Sequence, residues 1–364
     1  MAGITEDRST RKKPAGFWRV VLTSLGVFLL FCLVAEGVLR LAGYGDTDLY
    51  VPDQRLLWVP RPGHRHTVVG HHPSTISPDN FRYPVALGPK KPGEFRIFAF
   101  GDSVTMGWGV NDDQTYVADL AGTFNGYHCP GTKFEGISAG VDAYSNAQVN
   151  EAVQVVFEKG FQPDLVIVAN SFNTEFENLM LLQGENRQAL LHRVWLKSYV
   201  RQSALYEFVI EHLLRGVIYY HMRNQLMNGS WNVYRRKPVD TKRFYQQLEN
   251  SLATCRAHHV PMILLLTPTT NQRGDLDPMQ QAMVDFANNE NVPIANVIVA
   301  WKDKDHTPLF MDHAHPTVEG NELIAQQLAT LIDAAGAIPC GPDGKPLAPS
   351  IAAMTTPETQ PAQQ

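Results

Sequence analysis

The sequence predicts an α/β fold: a parallel sheet with helices on both faces, behind an N-terminal membrane-spanning helix. Three observations predict it. Short apolar runs alternate with helix-periodic segments from about residue 95 to 336, the signature of βαβ units. Two of those runs, PDLVIVANS (163–171) and VPMILLLTP (260–268), are continuously apolar, as strands buried on both faces are. Ahead of them lies VVLTSLGVFLLFCLVA (Val20 to Ala35), a run with no charge.

That N-terminal run follows a basic stretch with Arg8, Arg11, Lys12, Lys13 and Arg19, and Glu36 and Arg40 come after it. A spanning helix needs roughly 20 mostly apolar residues, a length reached here if Arg19 and Arg40 snorkel. Residues 1–16 read as a cytoplasmic basic segment and 17–42 as a single-pass signal anchor in the inner membrane. The basic flank stays in the cytoplasm, so the rest of the chain is extracytoplasmic. A cleaved signal peptide is the competing reading, with a weak small-residue site around Ala35 and Gly37.

Residues 43–92 are rich in Pro, Gly and His and read as an irregular lead-in. His64, His66, His71 and His72 fall within it, but neither Cys nor carboxylate joins them, so the reading is a solvated loop without metal. The ordered domain is placed at 93–336. FRIFAF (95–100) is a strand, TYVADLAGTF (115–124) a helix, and KFEGISAG (133–140) a strand. SNAQVNEAVQVVFEKG (145–160) is a helix with Ser145 as N-cap and Gly160 as its stop. After the apolar strand at 163–171, residues 175–242 break the alternation. They read as a helical insertion, either a lid or acyl-binding surface or extra packing. RFYQQLENSLATCRAHH (243–259) is a helix and 260–268 a strand. DPMQQAMVDFANNEN (277–291) is a helix opened by Pro278, VPIANVIVA (292–300) a short strand, and 316–336 the last helix. Residues 337–364 are rich in Pro, Ala, Thr and Gln and read as a disordered tail.

The chain has 364 residues and a net charge of −5, and no basic stripe with interleaved aromatics suggests nucleic acid. Of four cysteines, Cys32 lies in the anchor; Cys129, Cys255 and Cys340 show no metal spacing. At most one internal disulfide can form among those three. Cys255 reads as core, and a Cys129–Cys340 pair is possible without support from spacing.

In an open parallel sheet, ligands sit beyond the carboxyl ends of the strands. Four segments fall there: GDS (101–103), AGVDAYS (139–145), NSFN (170–173) and, before the last helix, FMDHAHPTVEG (310–320). Asp312 and His315 are three apart, so the carboxylate can hold one imidazole nitrogen and leave the other to take a proton from Ser103. His313 and His306 are rival bases, the first pointing to another side and the second more distant. Oxyanion donors are the Ser103 N–H, the N–H at Ala143 and the Asn173 side-chain amide.

These blocks resemble the SGNH (GDSL-type) hydrolase family. FAFGDSVTMGWGV resembles its first block, SAGVDAYSNAQ its second, ANSFNTE its third and DHAHPTVEGNELIA its last, and SPDNFRYP (77–84) resembles a segment that precedes the first block in membrane-anchored members. Ala143 stands where a glycine is usual, and Ser171-Phe172-Asn173-Thr174 where Gly-x-Asn-Asp is. The resemblance implies a flavodoxin-like three-layer α/β/α sheet. It also implies a serine ester hydrolase using Ser103, Asp312 and His315 without a cofactor. The substrate would be an ester-bearing small molecule, lipid or envelope glycan. Two other readings share these residues: an O-acyltransferase of envelope polysaccharide, and a non-catalytic envelope binding protein with a relict site.

Overall fold

The computed structural model describes residues 15–45, 50–64, 67–69, 72–214 and 240–345. The basic segment before residue 15, residues 215–239 of the insertion, His66 and His71, and the tail from 346 lie outside the described residues. The chain divides into two compact units, Met1–Thr47 with Tyr199–Asn224, and Asp48–Ser198 with Gln225–Gln364.

Along the chain the helices and strands are α1 (Ala15–Leu41), β1 (Tyr50–Asp53), β2 (Leu57–Pro60), β3 (Thr67–Val69), β4 (His72–Ser74), β5 (Glu94–Phe100), α2 (Ser103–Met106), α3 (Tyr116–Gly126), β6 (Lys133–Ser138), α4 (Asn146–Glu158), β7 (Leu165–Ala169), α5 (Gly184–Val200), α6 (Ala204–Phe208), α7 (Thr241–Ala257), β8 (Met262–Leu266), α8 (Pro278–Glu290), β9 (Ile294–Asn296), α9 (Val297–Ala300) and α10 (Val318–Ala335).

In the first unit, α1 exposes its apolar side chains along most of its length. It is the one helix among the described residues long and apolar enough to cross a membrane. Its two charges near the C-terminal end have partners. Glu36 accepts from Arg40 and, at the start of α6, from the Ser203 hydroxyl and the N–H groups of Ala204 and Leu205.

The second unit is built on a five-stranded, all-parallel sheet in the order β6-β5-β7-β8-β9. Numbered within the sheet, that is 2-1-3-4-5, the flavodoxin-like winding, so the expected fold class is the one found. Successive strand residues point to opposite faces. Phe98, Phe100, Val166, Val168, Leu264 and Leu266 therefore enter one core with α4, α7 and α8. Ile97, Ala99, Leu165, Ile167, Ile263 and Leu265 enter the other with α3 and α10. Ser145 caps α4 through a reciprocal box with Gln148, and Asp277 caps α8 with Pro278 in the first turn.

Three expectations are corrected. The run 292–300 is strand only at Ile294–Asn296. The Asn296 side chain then accepts from the N–H of Val299 and starts α9, because a capping side chain competes with the ladder for the backbone. The tail does not begin at 337. Ala337, Ile338 and Cys340 are buried, and Cys340 is joined to Cys129 with Cα atoms 5.7 Å apart. The lead-in, for its part, contains two antiparallel hairpins, β1–β2 and β3–β4. Leu56, Leu57, Ile76, Phe81 and Leu87 from this region are buried.

Candidate active site

Ser103 opens α2 directly beyond β5. Asp102 is the cap: its Oδ1 accepts from the N–H of Val104 at 3.0 Å, and its Oδ2 accepts from the N–H of Phe172, after β7, at 3.1 Å. The two loops at the switch point between β5 and β7 are thus tied by one buried carboxylate. Burial pushes the Asp102 carboxyl up, and the two backbone N–H bonds oppose that rise.

The loop after β6 comes equally close. Val141 N–H donates to the Gly101 carbonyl at 3.1 Å, and Ser138 Oγ–H to the Thr105 carbonyl at 2.7 Å. A Cβ on Gly140 would stand 2.3 Å from the Met106 nitrogen, so only glycine permits this approach. Ala143 follows with φ +63°, a left-handed conformation that costs a residue with a Cβ about 1 kcal/mol. Among the described residues, no acceptor takes the N–H of Ser103 or of Ala143.

His315 bridges the serine and the acid. Its Nε2 lies 2.9 Å from Ser103 Oγ, and its Nδ1 2.7 Å from Asp312 Oδ2. The three-residue spacing works through a turn centred on the carboxylate. Asp312 Oδ1 accepts from the N–H groups of Ala314 and His315, both at 2.9 Å. Burial works against the Asp312 charge, but the imidazole and the two backbone donors prevail and hold its carboxyl well below the usual range. An ionised Asp312 fixes the tautomer in which Nδ1 carries the proton, leaving Nε2 as the acceptor facing Ser103.

The rival histidines are elsewhere. His313 is exposed, with Nδ1 3.9 Å from Asp312 Oδ1 and its ring centroid 6.4 Å from that of His315. His306 is buried and bonded to Arg273, to the Thr269 carbonyl and to the Trp301 carbonyl. His72 meets the Asn111 side chain at 3.3 Å.

Asn173 is brought to the same place but is occupied. Its Nδ2 donates to the Tyr144 carbonyl at 3.1 Å and to Asp102 Oδ2 at 3.3 Å. In this arrangement it braces the loop that carries Ala143. Ser171, at the position where the resemblance leads one to expect glycine, also donates from its hydroxyl to the Tyr144 carbonyl, and its N–H is held by Asn146.

Four contributors were not visible in the chain. Arg82, buried, donates to the carbonyls of Met106, Gly107 and Val110 and to Asp112, and so fixes the segment after Ser103. A lone arginine in SPDNFRYP is its only sequence signal. Trp108 stacks on His315, and Tyr50 and Trp58 grip the backbone of Asp142. Single aromatics outside any periodic pattern give no such signal.

The arrangement holds a serine hydroxyl against an oriented imidazole, beside two free backbone donors. That is the equipment for attack on an acyl carbon.

No family model matches the chain, and no curated protein does. Solved structures similar to it include a lipolytic protein of the G-D-S-L family from Desulfitobacterium hafniense, 14% identical, covering 65% of this chain and 98% of that one at a TM-score of 0.39. An acetyl xylan esterase is 14% identical over 65% of this chain and 98% of its own, at a TM-score of 0.41. The esterase EstA from Pseudoalteromonas sp., inhibited by monoethylphosphonate, is 11% identical over 65% and 96%, at 0.39.

Proposed function

We propose that this chain is a membrane-anchored serine ester hydrolase of the SGNH type, working outside the cytoplasm. The observation that carries the reading is the single imidazole within hydrogen-bond reach of both Ser103 and Asp312.

The reaction runs as follows. His315 Nε2 takes the Ser103 proton as Oγ attacks the ester carbonyl, and Asp312 stabilises the imidazolium. The oxyanion receives the N–H groups of Ser103 and Ala143. Asn173 turns one N–H from Asp102 to the same oxygen as charge develops, apo hydrogen bonds of this kind being free to rearrange in the complex. His315 returns its proton to the leaving alkoxide, and the alcohol departs. Water then attacks the acyl group with His315 again as base, and the acid leaves Ser103 free.

The extracytoplasmic placement has two supports. Arg8, Arg11, Lys12 and Lys13 precede α1, and basic residues stay on the cytoplasmic side. The Cys129–Cys340 bridge belongs to an oxidising compartment. The substrate is an ester on a small molecule, a lipid or an envelope glycan.

The test is labelling of the detergent-solubilised full chain by a fluorophosphonate, wild type beside Ser103→Ala. Labelling of the wild type alone supports an activated serine. No labelling of either protein overturns the reading, and so does equal labelling of both.

A further inference from the structure

Polar groups surround the imidazole of His315. Asp312 and Ser103 are bonded to its two nitrogens, Asp102 and Asp142 lie close enough to interact electrostatically, and His313 stands beyond. One flat side is covered differently. The indole of Trp108 lies over the ring with centroids 4.4 Å apart and planes inclined by 30°.

The indole is placed by the backbone that follows the serine. Trp108 N–H donates to the Ser103 carbonyl at 3.0 Å, and the carbonyls on either side of it are held by Arg82. The indole also packs against the buried pair Ile76 and Met106. Gly109, at φ +84°, allows the chain to turn under Met311, where a Cβ would meet Met311 Cε at 2.3 Å. The same short segment therefore carries the nucleophile and the cover of its base.

We propose that Trp108 is a positioning residue for His315, its indole face fixing the plane of the imidazole and stabilising the imidazolium formed when Ser103 loses its proton. The inference rests on the reading of His315 as the base. A ring face attracts a cation within about 6 Å of its centroid, and indole does so best. In the resting tautomer Nε2 carries no proton, and the charge forms as it takes the serine's, so the contact favours the transition state over the resting enzyme. It also blocks rotation about the imidazole's last torsion, which would separate Nε2 from Oγ.

Two measurements on the detergent-solubilised full chain test this. The first is indole fluorescence against pH for wild type, Trp108→Phe and His315→Asn. An imidazolium quenches a stacked indole, so the wild type should show a fluorescence step that both variants lack. The indoles of Trp195 and Trp301, also in ring contact with histidines, are common to all three proteins, so their contribution cancels in the difference. A step that survives in either variant overturns the proposal, as does its absence from the wild type. This reading needs no turnover, so it stands or falls separately from the esterase assignment.

The second is the pH dependence of kcat/KM on a soluble p-nitrophenyl ester. Trp108→Leu should move the acid limb down by about 0.5–1 pH unit and lower kcat with little change in KM. Trp108→Phe, which keeps a ring face, should recover most of both. An unmoved limb in Trp108→Leu with only KM raised would make Trp108 a wall of the substrate pocket and overturn the proposal.

Discussion

The indole N–H of Trp58 donates to the backbone carbonyl of Asp142 at 3.2 Å. The Asp142 N–H donates in turn to the Tyr50 hydroxyl at 3.3 Å, and the Tyr144 hydroxyl to the Trp58 carbonyl at 2.7 Å. The β1–β2 hairpin thus grips the residues on both sides of Ala143, whose N–H is one of the free donors beside Ser103. Trp58→Phe keeps the ring packed on Tyr144 and removes only the N–H. It should lower kcat about tenfold with KM nearly unchanged, because a loosened donor loses its advantage in the transition state. Steady-state kinetics on a p-nitrophenyl ester read this directly, and an unchanged kcat would show that the loop holds its own shape.

Ala143 carries the strain of a left-handed backbone. Glycine relieves that strain but frees the unfolded chain, and the two effects partly cancel. Ala143→Gly should therefore raise stability by up to about 0.5–1 kcal/mol and keep activity within threefold, since the N–H remains. Ala143→Val should cost about 1–2 kcal/mol and most of the activity, because a β-branched residue resists this conformation more strongly. Thermal melts and initial rates on the same samples check both.

These two cases show what the chain makes legible. Strand β7 and strand β8 could be read because both their faces are buried, and apolar residues therefore run without interruption. Ser103, Asp312 and His315 could be read because topology places the ends of parallel strands together, so short polar motifs there converge whatever the rest of the chain does. The grip of Trp58 on Asp142 spans 84 residues, and no local period encodes it. Asn173 was legible as a neighbour of the serine, but its bonds to Asp102 and Tyr144 depend on how three loops settle together. The packing of Ala337, Ile338 and Cys340 was missed for a related reason. A composition rich in Pro, Ala, Thr and Gln looks like a tail even where a covalent bond and a few buried side chains hold its first residues.

Asp142 gives a pH-dependent prediction. Its Oδ1 is buried without a hydrogen-bond partner, and burial pushes its carboxyl up to about 6, with the Tyr50 hydroxyl opposing. An unfolded aspartate titrates near 3.9. Below about pH 4 both states are neutral at this position. Between about 4 and 6 the folded state holds a proton that the unfolded state has released, so stability falls as pH rises. Above 6 the folded protein carries the whole cost of the buried charge. Asp142→Asn should therefore melt like the wild type at pH 4 and be more stable by about 2 kcal/mol at pH 8. A difference between the two proteins that does not change from pH 4 to pH 8 would show that Asp142 is not the group responsible.

The Cys129–Cys340 bridge closes a sequence separation of 211 residues. It joins the loop after α3 to the segment after α10, and both half-cystines pack in the core that contains Phe124, Phe134 and Ile332. Cross-links across long loops act mainly by restricting the unfolded chain, typically contributing about 2–4 kcal/mol. Cys340→Ser should lower the melting temperature by the same amount as treating the wild type with reductant. Reductant should then have no further effect on the variant, because Cys32 lies in α1 and Cys255 is on the buried side of α7, neither having a partner thiol among the described residues. If reductant leaves the wild-type melt unchanged, the bridge is absent from the purified protein, and the argument it supplies for an oxidising compartment falls with it.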